Sequence, residues 1–196
     1  MMDMPTIGIQ FEIPTWNQVY EMLVELAMKI KYANYAADII IGIARGGLIP
    51  SRILVDLLEV PEIAIIQTAF YRDIKETMEN PILKQPLVTP LEGKKVLIVD
   101  DISDSGQTLW LVKKYIQESR ATDVKMATLY VKLQSALIPD FYAKDTTSWV
   151  VFPWEIKETI SKTTKEKKGN RAKNREIQRL TNAGLPKQLT KKICEI

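Results

Sequence analysis

Two aspartates, Asp100 and Asp101, close the apolar run VLIV at 96–99, and the cluster SDSGQT follows at 103–108. Adjacent carboxylates repel, so a strand that ends in a pair of them calls for a cation or for hydroxyl donors. The cluster behind them supplies a complementary half. Gly106 lets the main chain approach a ligand closely, the N–H groups opening the next helix converge on one spot, and Ser103, Ser105 and Thr108 add hydroxyls. A phosphate fits that cradle without a lysine, while the paired acids suit vicinal hydroxyls and a magnesium ion. A phosphorylated sugar satisfies both halves. Asp and Ser after a strand are also ordinary capping and turn residues. That simpler reading accounts for one Asp and one Ser, and leaves the second acid and Asp104 unexplained.

A second anion feature lies upstream. Arg45 follows the apolar run IIIGIA and is flanked by Gly46 and Gly47, so that main-chain N–H groups and one guanidinium could approach a doubly charged group. Arg-Gly-Gly also makes a simple turn. Its weight comes from the other site.

Composition narrows the chemistry further. The chain has no histidine, which removes Ser-His-Asp and Cys-His nucleophiles and His-ligated transition metals. Acid–base work falls to carboxylates, Lys or Tyr. Hard metals held by oxygen remain open, magnesium above all, because it needs only one or two carboxylates when substrate phosphates supply the rest. Cys194 is the single cysteine, so no internal disulfide forms and a reducing, cytoplasmic setting is expected. No apolar stretch approaches the roughly 18 to 20 residues of a membrane span, and the N-terminus has no leader pattern. No membrane association is expected.

The elements that must position these residues are legible in the apolar spacing. With 196 residues and 46% hydrophobic content, one well-formed domain is expected without disulfides. Val19, Met22, Leu23, Leu26, Ala27 and Ile30 recur at helical steps between Thr15, a candidate N-cap, and Asn34. DIIIGIA then reads as a strand, followed by the RGG turn and the helical SRILVDLLEV. Further strands are EIAIIQTAF, KKVLIVDD and DVKMATLYV, with QTLWLVKKYIQES as the helix after the acidic pair. Continuous apolar strands separated by helices predict an α/β fold with a Rossmann-like parallel sheet covered on both faces. Ligands of such sheets sit at the carboxyl ends of the strands, where Asp100 and Asp101 lie. Residues 70–94 connect two strands with three prolines and no helical period, which predicts a lid or binding loop, with a surface hairpin as the alternative.

Charge divides the chain unevenly. Residues 157–196 carry 12 Lys plus Arg against 4 Glu, net +8, whereas residues 1–156 carry 15 against 20, net −5. The domain reading is therefore 1–156 for the body and 157–196 for a basic helical extension. In that extension SKTTKEKKGNRAKNR reads as a solvated arm, and REIQRLTNAGLPKQLTKKI as a helical hairpin that turns Ile177, Leu180, Leu189 and Ile193 inward around Gly184 and Pro186. Packing on a partner subunit is the leading use for it. A nucleic-acid partner is not expected, although the net charge suffices for salt-sensitive contact.

These stretches resemble a known family. VLIVDDISDSGQTL at 96–109 looks like the phosphoribosyl pyrophosphate (PRPP) motif of type I phosphoribosyltransferases, IIGIARGGLIPSRILVDLL at 40–58 resembles their pyrophosphate loop, and WVVFPWE at 149–155 resembles the base-binding end, or hood, of prokaryotic xanthine-guanine and hypoxanthine enzymes. The resemblance implies purine salvage: ribose 5-phosphate passes from PRPP to a 6-oxopurine (hypoxanthine, guanine or xanthine), giving a nucleoside monophosphate and pyrophosphate. It also implies magnesium and a homodimer or homotetramer. Residue by residue, it assigns Asp100 and Asp101 to the ribose hydroxyls and the metal, and Asp104, Ser105, Gly106, Gln107 and Thr108, beside Ser103, to the 5-phosphate. Ala44, Arg45 and Gly46 fall to pyrophosphate, and Asp104 to the proton of base nitrogen 7. Lys132 would donate to the 6-oxo group, Trp149 stack on the purine, the Val150 carbonyl accept from a 2-amino group, and Glu155 stand as an acid near base or metal. Tyr71 corresponds to a mobile-loop Tyr, with Phe70 where Ser is common. A PRPP-binding transcriptional regulator on the same fold is the alternative, since it would keep the phosphate cradle.

Overall fold

A computed structural model of the chain describes residues 10–71, 80–165 and 169–195. In chain order its elements are β1 (Phe11–Glu12), α1 (Trp16–Tyr32), β2 (Ile39–Ala44), α2 (Leu48–Leu58), β3 (Glu62–Tyr71), β4 (Asn80–Gln85), β5 (Lys95–Ser103), α3 (Gln107–Glu118), β6 (Asp123–Lys132), β7 (Phe141–Thr146), β8 (Trp149–Val150), α4 (Ile156–Lys165), α5 (Asn170–Asn182) and α6 (Lys187–Glu195). They form two compact units, residues 20–146 and residues 1–19 with 147–196.

The larger unit is built on a six-stranded sheet of order β4-β3-β2-β5-β6-β7. Strands β3, β2, β5, β6 and β7 run parallel, and β4 lies antiparallel on β3 at one edge. The α/β class read from the sequence is the one that forms. Its cause is visible in the central strands, where successive residues are buried whichever face they point to: Ile39, Ile40 and Ile41 in β2, and Val96 through Val99 in β5. Helix α3 places Leu109, Val112 and Ile116 in one cluster with Ile41, Ile43, Val96 and Ile98. At about 25 cal/mol per Å² of apolar surface, burial of this kind dominates the stability of the unit.

The predicted helix 15–34 appears as α1. Thr15 closes its start in a capping box, accepting from Gln18 N at 3.3 Å while Thr15 N donates to Gln18 Oε1 at 2.8 Å.

Part of the connection 70–94 takes the hairpin form that stands as the alternative to a lid. Thr68 through Tyr71 pair with Asn80 through Leu83 of β4, so its described part is an antiparallel hairpin arm. The tip, 72–79, lies outside the described residues. Long polar stretches with proline mask edge strands, because an edge needs neither alternating burial nor donors on both sides.

In the smaller unit β1 and β8 pair in parallel, Phe11 opposite Trp149 and Glu12 opposite Val150. Residues expected to form a solvated arm are helical on both sides of 166–168: α4 extends to Lys165 and α5 begins at Asn170. Within α4, Thr159 and Ile160 are buried, the hydroxyls of Thr163 and Thr164 donate back to the preceding turn, and Glu158 pairs with Lys162 at 2.8 Å. So few apolar residues give no periodic signal. A second correction concerns Leu189, which is exposed, while Thr190 takes the inward place. Thr190 and Ile193 are three residues apart and share the face that Leu189 was assigned to. Val151, Ile160, Leu180 and Leu185 form one cluster with Phe11, Ile13, Ile156 and Ile193 packed against it. Much of the apolar side of the extension is thus covered by its own chain, with Leu189 left exposed. Among the described residues no helix is long and apolar enough to cross a membrane.

Candidate active site

Three strand ends converge in the larger unit: β2 at Ala44, β5 at Asp100 to Ser103, and β6 at Lys132, with β2 and β6 flanking β5. The register fixes their level, since Gly42 faces Val99 and Ser103 faces Val131. Carboxyl ends of parallel strands present main-chain and side-chain groups to one crevice. The sequence places both anion features there.

The Arg-Gly-Gly turn and the acidic pair touch. A Cβ on Gly46 would stand 2.5 Å from Asp101 Oδ1, and one on Gly47 would collide with the Val99 carbonyl and the Ile43 main chain. A side chain at 46 would have to push the Asp101 carboxylate aside, so the loop around Arg45 and the carboxylate of Asp101 border one space. Gly46→Ala is expected to displace Asp101 and lower kcat/KM by about 10²-fold, the cost of misplacing a binding group by about 1 Å. Steady-state kinetics would show it, and a Gly46→Ala enzyme with undiminished kcat/KM would remove the link between the loops.

Asp100 and Asp101 are both buried, and Asp100 Oδ1 accepts the Asp101 N–H at 3.0 Å. Burial, and then the charge of Asp101, push the Asp100 carboxyl well above the ordinary carboxylate range. The like charges that raised the question at the sequence level are therefore not both comfortable in the free protein. A divalent cation or a ring of hydroxyl donors would relieve the conflict. Among the described residues no three His, Cys, Asp or Glu side chains gather into a metal cage, so the pair offers a cation two carboxylates and leaves its other positions to substrate or water. That donor set fits magnesium.

Beyond β5 the chain turns at Asp104 and Ser105, both exposed, into Gly106 at φ 82°. The N-cap residue Gly106 has no side chain to cap α3, and the first turn has no acid. The helix therefore presents its opening N–H groups and the positive end of its dipole to the crevice. Ser105 Oγ is within 3.4 Å of Gln107 N, and Thr108 is half-buried in the first turn. A Cβ on Gly106 would press on Leu137 N at 2.7 Å, so the turn is seated on the loop after β6.

Ser103 differs from its sequence assignment. Its hydroxyl donates to Leu137 O at 2.9 Å and lies 2.9 Å from Ser135 Oγ, with the residue buried. It braces β5 against the β6 loop. Ser135 and Leu137 are positioning residues that the sequence did not single out, since a Ser in a loop carries no periodic signal. Thr128, opposite Asp100 in register, was also missed; its hydroxyl is buried with no partner among the described residues.

Lys132 is buried at the end of β6, which argues against an ordinary solvated lysine. Trp149 and Val150 lie in β8 of the smaller unit, Trp149 38% exposed and so not a core residue, Val150 buried. Glu155 accepts from Phe152 N at 3.3 Å and its carbonyl accepts Thr159 N at 2.9 Å, so it is engaged at the start of α4. Tyr71 ends β3, and its side chain lies outside the described residues.

Known proteins agree with this geometry. The family model of the phosphoribosyl transferase domain matches residues 13–159. A xanthine-guanine phosphoribosyltransferase of Gluconobacter oxydans is 29% identical over 149 residues, 75% of this chain and 86% of that protein. Among solved structures, a purine phosphoribosyltransferase of Pyrococcus horikoshii is 37% identical with a TM-score of 0.67, covering 74% of this chain and 93% of its own. A Neisseria gonorrhoeae protein crystallised with ppGpp is 27% identical at a TM-score of 0.69, covering 85% and 95%. With the PRPP motif, the glycine-tight loop beside it and these relatives in agreement, the chain belongs to the phosphoribosyl transferase domain family.

Proposed function

We infer that this protein is a purine salvage enzyme that transfers ribose 5-phosphate from PRPP to a 6-oxopurine, releasing pyrophosphate and the nucleoside monophosphate. The observation that carries the reading is the contact between the Gly46 turn and Asp101. It supports a reading in which the Arg45 turn takes the pyrophosphate beside the acids that take the ribose, with the start of α3 for the 5-phosphate.

Each group has a defined task in that reaction. The N–H groups opening α3, with Ser105 and Thr108, hold the 5-phosphate. Asp100 and Asp101 accept the ribose 2- and 3-hydroxyls. The main chain at Ala44 to Gly46 and the Arg45 guanidinium receive the pyrophosphate as it departs. Breaking the glycosidic bond before the new one is complete places positive charge on the ribose ring, and the adjacent carboxylates stabilise it. Asp104 takes the proton from nitrogen 7 of the base as nitrogen 9 bonds to the anomeric carbon. Lys132 donates to the 6-oxo oxygen and Trp149 stacks on the ring. Adenine is disfavoured, since its 6-amino group would meet another donor. Asp100 and Asp101 would hold a magnesium ion, which would supply positive charge to the departing pyrophosphate.

A spectrophotometric assay of PRPP with hypoxanthine, guanine, xanthine and adenine tests this. Conversion of at least one 6-oxopurine, loss of it with excess EDTA and no conversion of adenine are expected. PRPP bound with every base left unconverted would refute the enzyme reading.

A further inference from the structure

The three C-terminal helices carry a feature that phosphoribosyl transfer does not use. Helix α5 stops in a Schellman turn: Leu185 N donates to Leu180 O and Gly184 N to Thr181 O, each at 3.1 Å, with Gly184 at φ 120°. Four residues, 183–186, separate it from α6, whose first turn is set by Pro186 O accepting both Thr190 N at 2.9 Å and Thr190 Oγ1 at 3.0 Å. Leu180, Leu185 and Thr190 are buried, Ile193 packs against the same cluster, and Lys157 of α4 donates to Ile193 O at 3.0 Å. The pair is thus a packed helix, tight glycine turn and helix, held on a third helix.

Its outer faces are sorted by charge. On α5, Arg171, Asn174, Arg175, Gln178 and Asn182 recur at three- and four-residue steps, all are exposed, and no carboxylate stands among them. The one acid of α5, Glu176, turns inward and is paired with Arg179 at 2.9 Å. On α6, Lys187, Gln188, Lys191 and Lys192 are exposed, with Glu195 in the last turn as the sole acid. A merely solvated helix face mixes both signs, because i,i+4 pairs of opposite charge stabilise it and like charges do the reverse. On each helix these outward residues are cations and amides, Glu195 apart, and the carboxylate of α5 is turned inward. Such a surface is complementary to a polyanion.

We propose that α5 and α6 form a helix-turn-helix that binds duplex DNA, with Lys187, Gln188, Lys191 and Lys192 of α6 in the major groove and the outer face of α5 along the phosphates. A helix of about 10–12 Å diameter fits the roughly 12 Å wide major groove of B-form DNA, and a helix pair joined by a short glycine turn is the unit that delivers one. The deep, narrow groove of an RNA duplex does not admit it. The sequence alone weighed against a nucleic-acid partner because the tail then had an unsatisfied apolar side to place on a subunit. Much of that side is filled by the chain itself, and the basic side is what remains.

Fluorescence anisotropy of a labelled random-sequence 24-base-pair DNA duplex, titrated with the full chain between 50 and 200 mM NaCl, tests the proposal. Binding is expected whose log affinity falls linearly with log salt. The triple variant K187A/K191A/K192A should bind at least about tenfold more weakly at the low salt, with a slope smaller by about 0.9 for each of these lysines that also reaches a phosphate at the groove edge. Alanine favours helix, so the variant should keep its thermal melt. If it does not, R171Q/R175Q carries the same test on α5. Absence of binding at 50 mM salt, equal affinity of the folded variants, tighter binding to an RNA duplex or single strand of the same sequence, or release of the DNA by excess PRPP would each overturn it. The last outcome would place the nucleic acid in the anion crevice. None of these readings depends on which purine is converted.

Discussion

Asp104→Asn lowers kcat by about 10²- to 10⁴-fold, the range for losing a positioned general base, while PRPP affinity stays within about threefold. Asn keeps the size and the hydrogen-bonding acceptor of Asp but cannot take a proton. With no histidine in the chain, and with Asp100 and Asp101 given to the sugar in the proposed reaction, Asp104 is the carboxylate left in the motif. It is exposed at the mouth of the turn, with Gly106 and the α3 start behind it. The two quantities separate the roles. A fall in kcat with unchanged PRPP binding by calorimetry marks a group that acts only as the bond forms. Equal losses in both would reassign Asp104 to PRPP binding, and unchanged turnover would remove it from the chemistry.

Asp100→Asn produces two effects of opposite sign. Catalysis falls, because a charged acceptor of the ribose hydroxyls is lost. Hydrogen bonds to charged groups contribute about 1.5–3 kcal/mol each, so kcat/KM for PRPP should drop by about 10²-fold or more for two of them. Stability rises, because burial and the neighbouring Asp101 both oppose ionisation of Asp100 in the folded chain. The sign in pH follows from that raised value. Between the ordinary carboxylate pKa and the raised one, the folded chain holds a proton that the unfolded chain has released. Stability is therefore fully present at pH below the ordinary value and declines as pH rises through the interval, a decline the Asn variant lacks. Melts from pH 4 to 8 should start together and diverge, the variant ending about 2–4 °C higher, the response of a chain of this size to about 1 kcal/mol. A variant that melts at or below the parent at pH 8 would mean that the carboxylate is stabilised by something other than its ligand. Sites that sacrifice stability for function behave in this way.

Much of the site was legible because its chemistry is local in the chain. The acidic pair, the turn and the start of α3 occupy 100–108, and a strand-end anion site follows from residue types and spacing alone. Arg45, Gly46 and Gly47 were equally visible as a turn. Their relation to Asp101 was not, since it joins positions some fifty residues apart through the parallel pairing of β2 with β5. Ser103 shows the converse. A hydroxyl in a phosphate motif reads as a phosphate donor until the fold turns it onto Leu137 and Ser135. Lys132 gained weight only when burial separated it from the many lysines that are solvated.

The periphery was harder to read. The hairpin arm of β3 and β4 carries prolines and polar residues because an edge strand tolerates both. Helix α4 was hidden because two buried residues and back-bonding threonines hold it in place of an apolar stripe.

By itself the sequence determined that the chain forms a mostly parallel α/β sheet, that histidine takes no part in its chemistry, and that an acidic pair and an Arg-Gly-Gly turn stand at strand ends. Each of these is set by neighbours in the chain: apolar runs, residue types and short spacings. Tertiary structure alone decided that Gly46 must admit the Asp101 carboxylate, that the Ser103 hydroxyl braces a loop, and that the tail covers much of its apolar side and displays its basic one. Those depend on which distant residues compete for the same space and the same hydrogen bonds, and only the folded chain resolves that competition.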